Sequence, residues 1–121
     1  MPRKILVVED DEDARNLMDS ILKLAGFNVV LARDGVEGIE QARLEQPHLI
    51  ITDISMPRLT GFQLIQELRA MPNFKIIPIL AVTSYGMEKA MEAIKAGANR
   101  ALARPVQNHL FLAFVFDLLN S

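Results

Sequence analysis

The chain has no cysteine, which excludes a disulfide framework and a thiolate metal centre. It has no basic run or stripe. Its 13 Lys and Arg are outnumbered by 15 Asp and Glu, for a formal net charge of −2, and this argues against a nucleic-acid surface. Long apolar runs are also missing. The apolar residues after Met1-Pro2-Arg3-Lys4 stop at Glu9, far short of a signal-peptide core or a membrane span. The expectation is therefore a cytoplasmic protein without membrane insertion. Linkers, repeats and low-complexity tracts are absent too, so residues 1–121 are expected to form a single domain. That length buries a core without staples, and 50% apolar with 23% charged residues is ordinary globular composition.

What is present centres on His48-Leu49-Ile50-Ile51-Thr52-Asp53. Consecutive apolar residues mark a strand buried on both faces, as in the middle of a parallel sheet. This strand delivers Asp53 to its end, just before the Pro- and Gly-punctuated loop from Ile54 to Gly61. A carboxylate at such a place either caps a helix or stands in the crevice above the sheet. Thr60, with Gln63 three residues on, has the spacing of a capping box for the next helix. Asp53 is thus left for chemistry.

The remaining elements follow in alternation. Ile5-Leu6-Val7-Val8 is a second buried strand, ending in Glu9 and Asp10. Ala14, Leu17, Met18, Ile21, Leu22 and Ala25 form a helical stripe stopped by Gly26. A strand over 28–32 precedes a helix opened by Asp34 and Glu37, with Val36, Ile39 and Ala42 on its stripe and its end before Pro47. After the central strand, a helix runs from Gly61 through Phe62, Ile65, Leu68 and Met71. A strand is expected from Ile76 to Val82, leading to Thr83-Ser84. A helix carrying Met87, Met91 and Ile94 ends at Gly97, a short strand at 101–103 reaches Arg104-Pro105, and a last helix follows.

Five strands alternating with five helices define an α/β protein, a parallel sheet covered on both faces by right-handed crossovers. The flavodoxin-like doubly wound order 2-1-3-4-5 suits that count, with its switch point between strands one and three. In that order the strand ends bearing Glu9-Asp10 and Asp53 are neighbours where ligands bind.

Glu9 to Asp13 is a run of five acids. Asp11, Glu12 and Asp13 are accounted for by a helix N-terminus, where negative charge is favoured. Glu9, Asp10 and Asp53 are not. Carboxylates converging at partly buried strand ends repel one another unless a cation offsets them. Oxygen ligands without His or Cys select hard cations, and few carboxylates with open positions suit Mg²⁺, which keeps waters and binds substrate phosphate. Thr83 and Arg104 close two further strand ends. Singly, each is explained as a helix cap and a surface cation; together they supply a hydroxyl and a guanidinium for an anion's oxygens. Such a set can hold Mg²⁺ and a phosphoryl group, with Asp53 as nucleophile. His48 and His109 have no partner ligand at metal spacing and are read as structural.

Val7-Val8-Glu9-Asp10-Asp11, the segment Asp53 to Gly61 with its D-x-x-M-P-x-x-x-G pattern, Ala81-Val82-Thr83-Ser84, Gly97-Ala98 and Arg104-Pro105 together resemble the receiver domain of bacterial two-component response regulators, chemotaxis-regulator-like in being a single domain. The resemblance spans essentially the whole chain. It implies phosphoryl transfer from a sensor histidine kinase or phosphotransfer protein onto Asp53, in a signalling module rather than an enzyme. It further implies that Asp10, Asp53 and the Ser55 backbone carbonyl ligate Mg²⁺, that Glu9 acts through a coordinated water, that Thr83 meets a phosphoryl oxygen, and that Arg104 fills the cation position. Arg104-Pro105 is, by the same resemblance, a candidate cis bond.

Two positions depart from the family pattern. Arg104 stands where lysine is usual, and a forked guanidinium is not equivalent to a point-charge ammonium. Ala101 stands where the family has the Tyr or Phe that reports phosphorylation. These departures make a degenerate, phosphorylation-independent adaptor the first rival. A Mg²⁺-dependent phosphohydrolase with an Asp nucleophile is the second, although Ser55 sits where its second carboxylate is needed. A flavin-binding module ranks last, because acids rather than a Ser/Thr/Gly phosphate loop follow the first strand. The last helix, from Leu110 to Leu119, is apolar nearly all round. It is expected to leave a strip around Phe111 and Phe114 for a downstream protein or for self-association.

Overall fold

The protein is described by a computed structural model, covering residues 2–56, 59–84, 86–104 and 107–120. Strands β1 (Lys4–Val8), β2 (Asn28–Ala32), β3 (Leu49–Asp53), β4 (Ile79–Thr83) and β5 (Arg100–Ala103) alternate with helices α1 (Glu12–Leu24), α2 (Gly35–Glu45), α3 (Gly61–Ala70), α4 (Gly86–Ala96) and α5 (Asn108–Leu119). The sheet is all parallel in the order β2-β1-β3-β4-β5, the flavodoxin-like arrangement. Because the strands are parallel, their carboxyl ends all emerge along one edge.

Side-chain alternation along the strands divides the core in two. Leu6, Val8, Ile50, Ile79 and Ala81 face α2, α3 and α4, packing on Ala42, Leu64, Ile65, Leu68 and Ala93. Ile5, Val7, Leu49, Ile51, Leu80 and Val82 face α1 and α5, packing on Met18, Leu22, Phe111, Val115 and Leu118. All five residues of β3 are buried, as its unbroken apolar run requires. Among the described residues no helix is long and apolar enough to cross a membrane.

The helix starts are built as their sequences imply. Asp11 accepts from Ala14 N at 2.8 Å and Asp34 from Glu37 N at 2.8 Å. Thr60 and Gln63 complete a reciprocal capping box. Glu37 reaches back one residue further, to Arg33 N at 3.3 Å. His48 is structural: its Nδ1 accepts from Lys4 N at 2.9 Å while its own amide donates to Lys4 O.

Several expectations are corrected. The fourth strand begins at Ile79 rather than Ile76, which is 92% exposed. Pro78 lacks the N–H a ladder needs, and a short 3₁₀ turn at Pro72–Phe74 takes up the chain before it. Met87, Met91 and Ile94 face outward on α4, which packs inward through Ala90 and Ala93. Val36 is likewise outside on α2, whose inner face is Gly35, Gly38 and Ala42. Small residues bring these helices close to the sheet, so the bulkier stripe beside them is the outer one. Leu17 of α1 is also more than half exposed. On α5, Phe111 belongs to the core and cannot serve an exposed strip; the outer apolar positions are Leu110, Ala113 and Phe116. Pro105, and with it the candidate cis bond, lies outside the described residues.

Arg69, which no sequence pattern singles out, replaces the missing ladder before β4. Its Nη1 donates to Phe74 O at 2.9 Å and Ile77 O at 2.7 Å, its Nε to Gly97 O at 2.9 Å, and its Nη2 to Asn99 Oδ1 at 2.8 Å. Asn99 Oδ1 in turn accepts from Ile79 N at 2.9 Å. Gly97, at φ +127°, leaves room for the side chain, since a Cβ there would lie 2.9 Å from Arg69 Cγ. Charge-assisted bonds of this kind contribute about 1.5–3 kcal/mol each, and their loss leaves carbonyls unmet. Arg69→Met is expected to cost about 3 kcal/mol in urea unfolding. Arg69→Lys should recover less than half of that, because an ammonium cannot fork to four acceptors.

Candidate functional site

The sheet order sets the site. β1 and β3 are adjacent, so the residues that follow them meet at the carboxyl edge. Glu9 continues β1, with its amide on Ala32 O at 3.0 Å. Asp53 ends β3 opposite Val82, and the Ile54 amide carries the ladder one step on to Val82 O at 3.0 Å. Glu9 is fully buried and Asp53 is 5% exposed, whereas Asp10 is open to solvent. Oxygens of Glu9, Asp10 and Asp53 lie within 4.8 Å of one another.

The backbone around Asp53 leaves little freedom. The first residue of α3, Gly61, donates its amide to Ile54 O at 2.9 Å. A Cβ on Gly61 would stand 2.7 Å from Ile54 Cα, besides meeting the Asp53 carbonyl. The capped start of α3 is therefore jammed against the end of β3, and only glycine fits there. Asp53 Oδ1 accepts from Ser55 N at 3.4 Å, so Ser55 meets Asp53 through its amide.

On the β1 side, Glu9 Oε2 accepts from Asp11 N at 3.2 Å, and Arg15 Nη1 reaches from α1 to the Glu9 carbonyl at 3.0 Å. Asp11 itself is the α1 cap, so the acidic run divides between helix terminus and crevice as its positions imply. On the other side stand Thr83, fully buried at the end of β4, and Arg104 after β5. The Arg104 amide donates to Thr83 O at 2.7 Å. Its guanidinium spans the ends of β3 and β4: Nη2 pairs with Glu9 Oε1, and Nη1 lies 3.5 Å from Ser84 Oγ. This cross-site ion pair was invisible in the sequence, where 95 positions separate the partners, as was the part of Arg15.

The crowding has an electrostatic consequence. Burial pushes the Asp53 carboxyl up from 3.8 to about 7, Glu9 adds to the rise by its charge and a hydrogen bond, and Arg104 and the Ser55 amide oppose it. Asp53 is thus an under-compensated carboxyl among acids. An all-oxygen donor set in need of positive charge fits a hard divalent cation. Beside the site, a cavity of about 500 Å³ between α1 and α5 is lined by apolar residues, including Leu17, Met18 and Phe111, with Arg104 as its charged member.

Comparison with known proteins agrees with this geometry. The response regulator receiver domain model matches residues 5–115. The polar-differentiation response regulator DivK of Brucella anthropi is 29% identical over 120 residues, 98% of each chain. The structure of a putative response regulator from Chloroflexus aurantiacus is 30% identical and superposes with a TM-score of 0.96 over 100% of both chains. The receiver domain of a Pseudomonas aeruginosa sensor histidine kinase, which carries a coordinated magnesium ion in its active-site cleft, is 27% identical with a TM-score of 0.93 over 100% of both.

The raised Asp53 carboxyl makes stability depend on pH. Between about pH 4 and 7 the unfolded chain releases the Asp53 proton more readily than the folded one, so without divalent cation stability falls as pH rises and levels off above 7. In EDTA, Asp53→Asn should therefore melt higher than the parent at pH 8 and lose that advantage at pH 5. A difference between the two melting temperatures that does not change with pH would contradict the assignment.

Proposed function

The chain belongs to the response-regulator receiver family, a family of signalling domains, and on that premise we propose that it accepts a phosphoryl group on Asp53 and signals by protein–protein contact. The observation carrying this reading is the buried Asp53 carboxyl at the end of the central strand, with oxygens of Glu9 and Asp10 within 4.8 Å. The donor is a sensor histidine kinase or phosphotransfer protein. Residues 1–121 act as one receiver unit in the cytoplasm, with no nucleic acid bound directly.

In the transfer, a carboxylate oxygen of Asp53 attacks phosphorus in line, the P–N bond to the donor imidazole breaks, and an acyl phosphate forms. Hydrolysis by water returns carboxylate and inorganic phosphate. Asp10 and Asp53, with the Ser55 carbonyl, would hold Mg²⁺, and Glu9 would reach it through water. The cation, when bound, neutralises charge building on the phosphoryl oxygens. The Thr83 hydroxyl would donate to one of those oxygens, and Arg104 would supply charge-assisted donors to another. Asp53 is reactive because its negative charge is disfavoured where it stands, and Gly61 fixes the strand end from which it attacks.

Output runs through exposed apolar surface. On α5 this is the face of Leu110, Ala113 and Phe116, the first and last of which are 43% and 44% exposed. Since Ala101 supplies no ring to swing inward, a contact formed before phosphorylation and changed only modestly by it is expected. Sedimentation with and without beryllofluoride measures this, and a monomer that dimerises only with the mimic would oppose it.

The acceptor is tested directly with Mg²⁺ and acetyl phosphate. The parent should gain one acid-labile phosphoryl mass and Asp53→Asn none. Asp10→Ala should weaken Mg²⁺ binding at least tenfold, and Asp11→Ala, which loses only a helix cap, less than threefold. Equal losses in a calorimetric titration would mean that the acids act as a diffuse field.

A further inference from the structure

The pairing of Arg104 with Glu9 assigns the arginine a second role. We propose that Arg104 is a built-in counter-ion that competes with the divalent cation for Glu9, so that filling the metal site and freeing the guanidinium for the phosphoryl oxygens are a single exchange. The inference rests on the metal-binding reading given above and adds to it a residue that sets how readily the metal enters.

Both oxygens of Glu9 are engaged. Oε1 holds Arg104 Nη2, and Oε2 holds the Asp11 amide at 3.2 Å. A fully buried carboxylate needs a cation or donors in this way, and among the three clustered acids it is Glu9 that the guanidinium meets in the contacts of Arg104. A divalent cation drawing on Glu9, directly or through water, draws on the same carboxylate charge. It also brings like charge to within a few ångströms of the guanidinium. The two cations therefore compete at Glu9.

Arg104 has somewhere to go. Its side chain is 29% exposed, its other terminal nitrogen already lies 3.5 Å from the Ser84 hydroxyl, and the cavity between α1 and α5 borders it. A released guanidinium stays near Asp53, where an incoming phosphoryl group offers acceptors in the geometry its fork matches. Arginine suits such an exchange: it remains charged at any working pH and grips a carboxylate firmly, which makes the competition stringent. Reciprocity follows. If the metal loosens Arg104 for the anion, an anion that captures Arg104 tightens the metal by the same factor.

Arg15 is a natural comparator. It brings the same charge to the same residue, but it donates to the backbone carbonyl of Glu9 at 3.0 Å and competes for no carboxylate lone pair. A general field effect would make the two arginines alike, whereas competition makes them differ.

The test is calorimetric titration of the full chain with MgCl₂ at pH 8. Arg104→Gln should lower the Mg²⁺ dissociation constant tenfold or more, Arg104→Lys by an intermediate factor, and Arg15→Gln by less than threefold. In a Glu9→Gln background, Arg104→Gln should change affinity less than twofold, because the contested carboxylate is gone. An Arg104→Gln protein that binds Mg²⁺ no better than the parent, or a gain that survives Glu9→Gln, would overturn the proposal. Should the substitution unfold the chain, the unaltered protein serves: Mg²⁺ must speed exchange of the Arg104 Nε proton followed by NMR, and unchanged or slower exchange counts against release. If Asp10→Asn leaves Mg²⁺ binding intact, or no variant binds it, the metal-site reading fails, and that failure is distinct from a bound metal indifferent to Arg104.

Discussion

The structure depends on keeping negative charge at the end of a buried strand. Three carboxylate oxygens within 4.8 Å, on two buried residues and one exposed one, would drive the strand ends apart in a looser frame. What opposes them is distributed. Asp11 turns its own charge to capping α1 while its amide serves Glu9, the guanidinium of Arg104 crosses from β5, and the Ser55 amide serves Asp53. The offset is incomplete at Asp53, whose carboxyl remains raised to about 7. A cation brought to this place would relieve part of that unfavourable energy.

Rigidity at both ends of the sheet makes the strained end tolerable. At the carboxyl edge, α3 begins hard against the end of β3, and Gly61 permits an approach that a methyl group would prevent. At the opposite edge, Arg69 ties the end of α3 to the turns before β4 and before β5. Burial draws the Arg69 guanidinium below its usual pKa, yet it remains charged and spends its donors on carbonyls that no strand reaches. Helix α3, which starts against the end of β3, is thus anchored at both of its ends.

Much of this was legible in the chain. The apolar runs ending in Glu9 and Asp53 gave the strands and their carboxyl-edge acids, because parallel strands advertise themselves by burial on both faces. Caps at Asp34 and Thr60 were legible for the same local reason: the partner lies three residues away. The cap made by Asp11 was not singled out, because it stands in a run of acids read only as helix-terminus charge. Failures came where the deciding contact was distant or small. Met87, Met91 and Ile94 formed as good a stripe as any, but close approach selected Ala90 and Ala93. Ile76 looked like strand until Pro78 and a guanidinium from another helix took its place in the bonding. The Glu9–Arg104 pair joins β1 to β5 across two intervening strands, and nothing local in either segment encodes it.

That last pair also bears on how a site with an alanine in the reporter position communicates. β5 is only four residues long. One end adjoins Arg104, whose amide is fixed to Thr83 O and whose guanidinium holds Glu9. The other end is Arg100, which pairs with Asp117 at 3.1 Å and lies over the Phe114 ring at 5.4 Å, both on α5. This short strand is hydrogen-bonded along one side to β4. The same four-residue element thus links the arginine that holds Glu9 to the arginine that contacts α5. A ligand shifts an equilibrium only through its different affinity for two states, and under the exchange proposed above those states would differ in whether Arg104 is held by Glu9 or by an anion. Ala101, in the middle of β5, contributes no ring, so the link between Arg104 and α5 runs through the backbone of this strand.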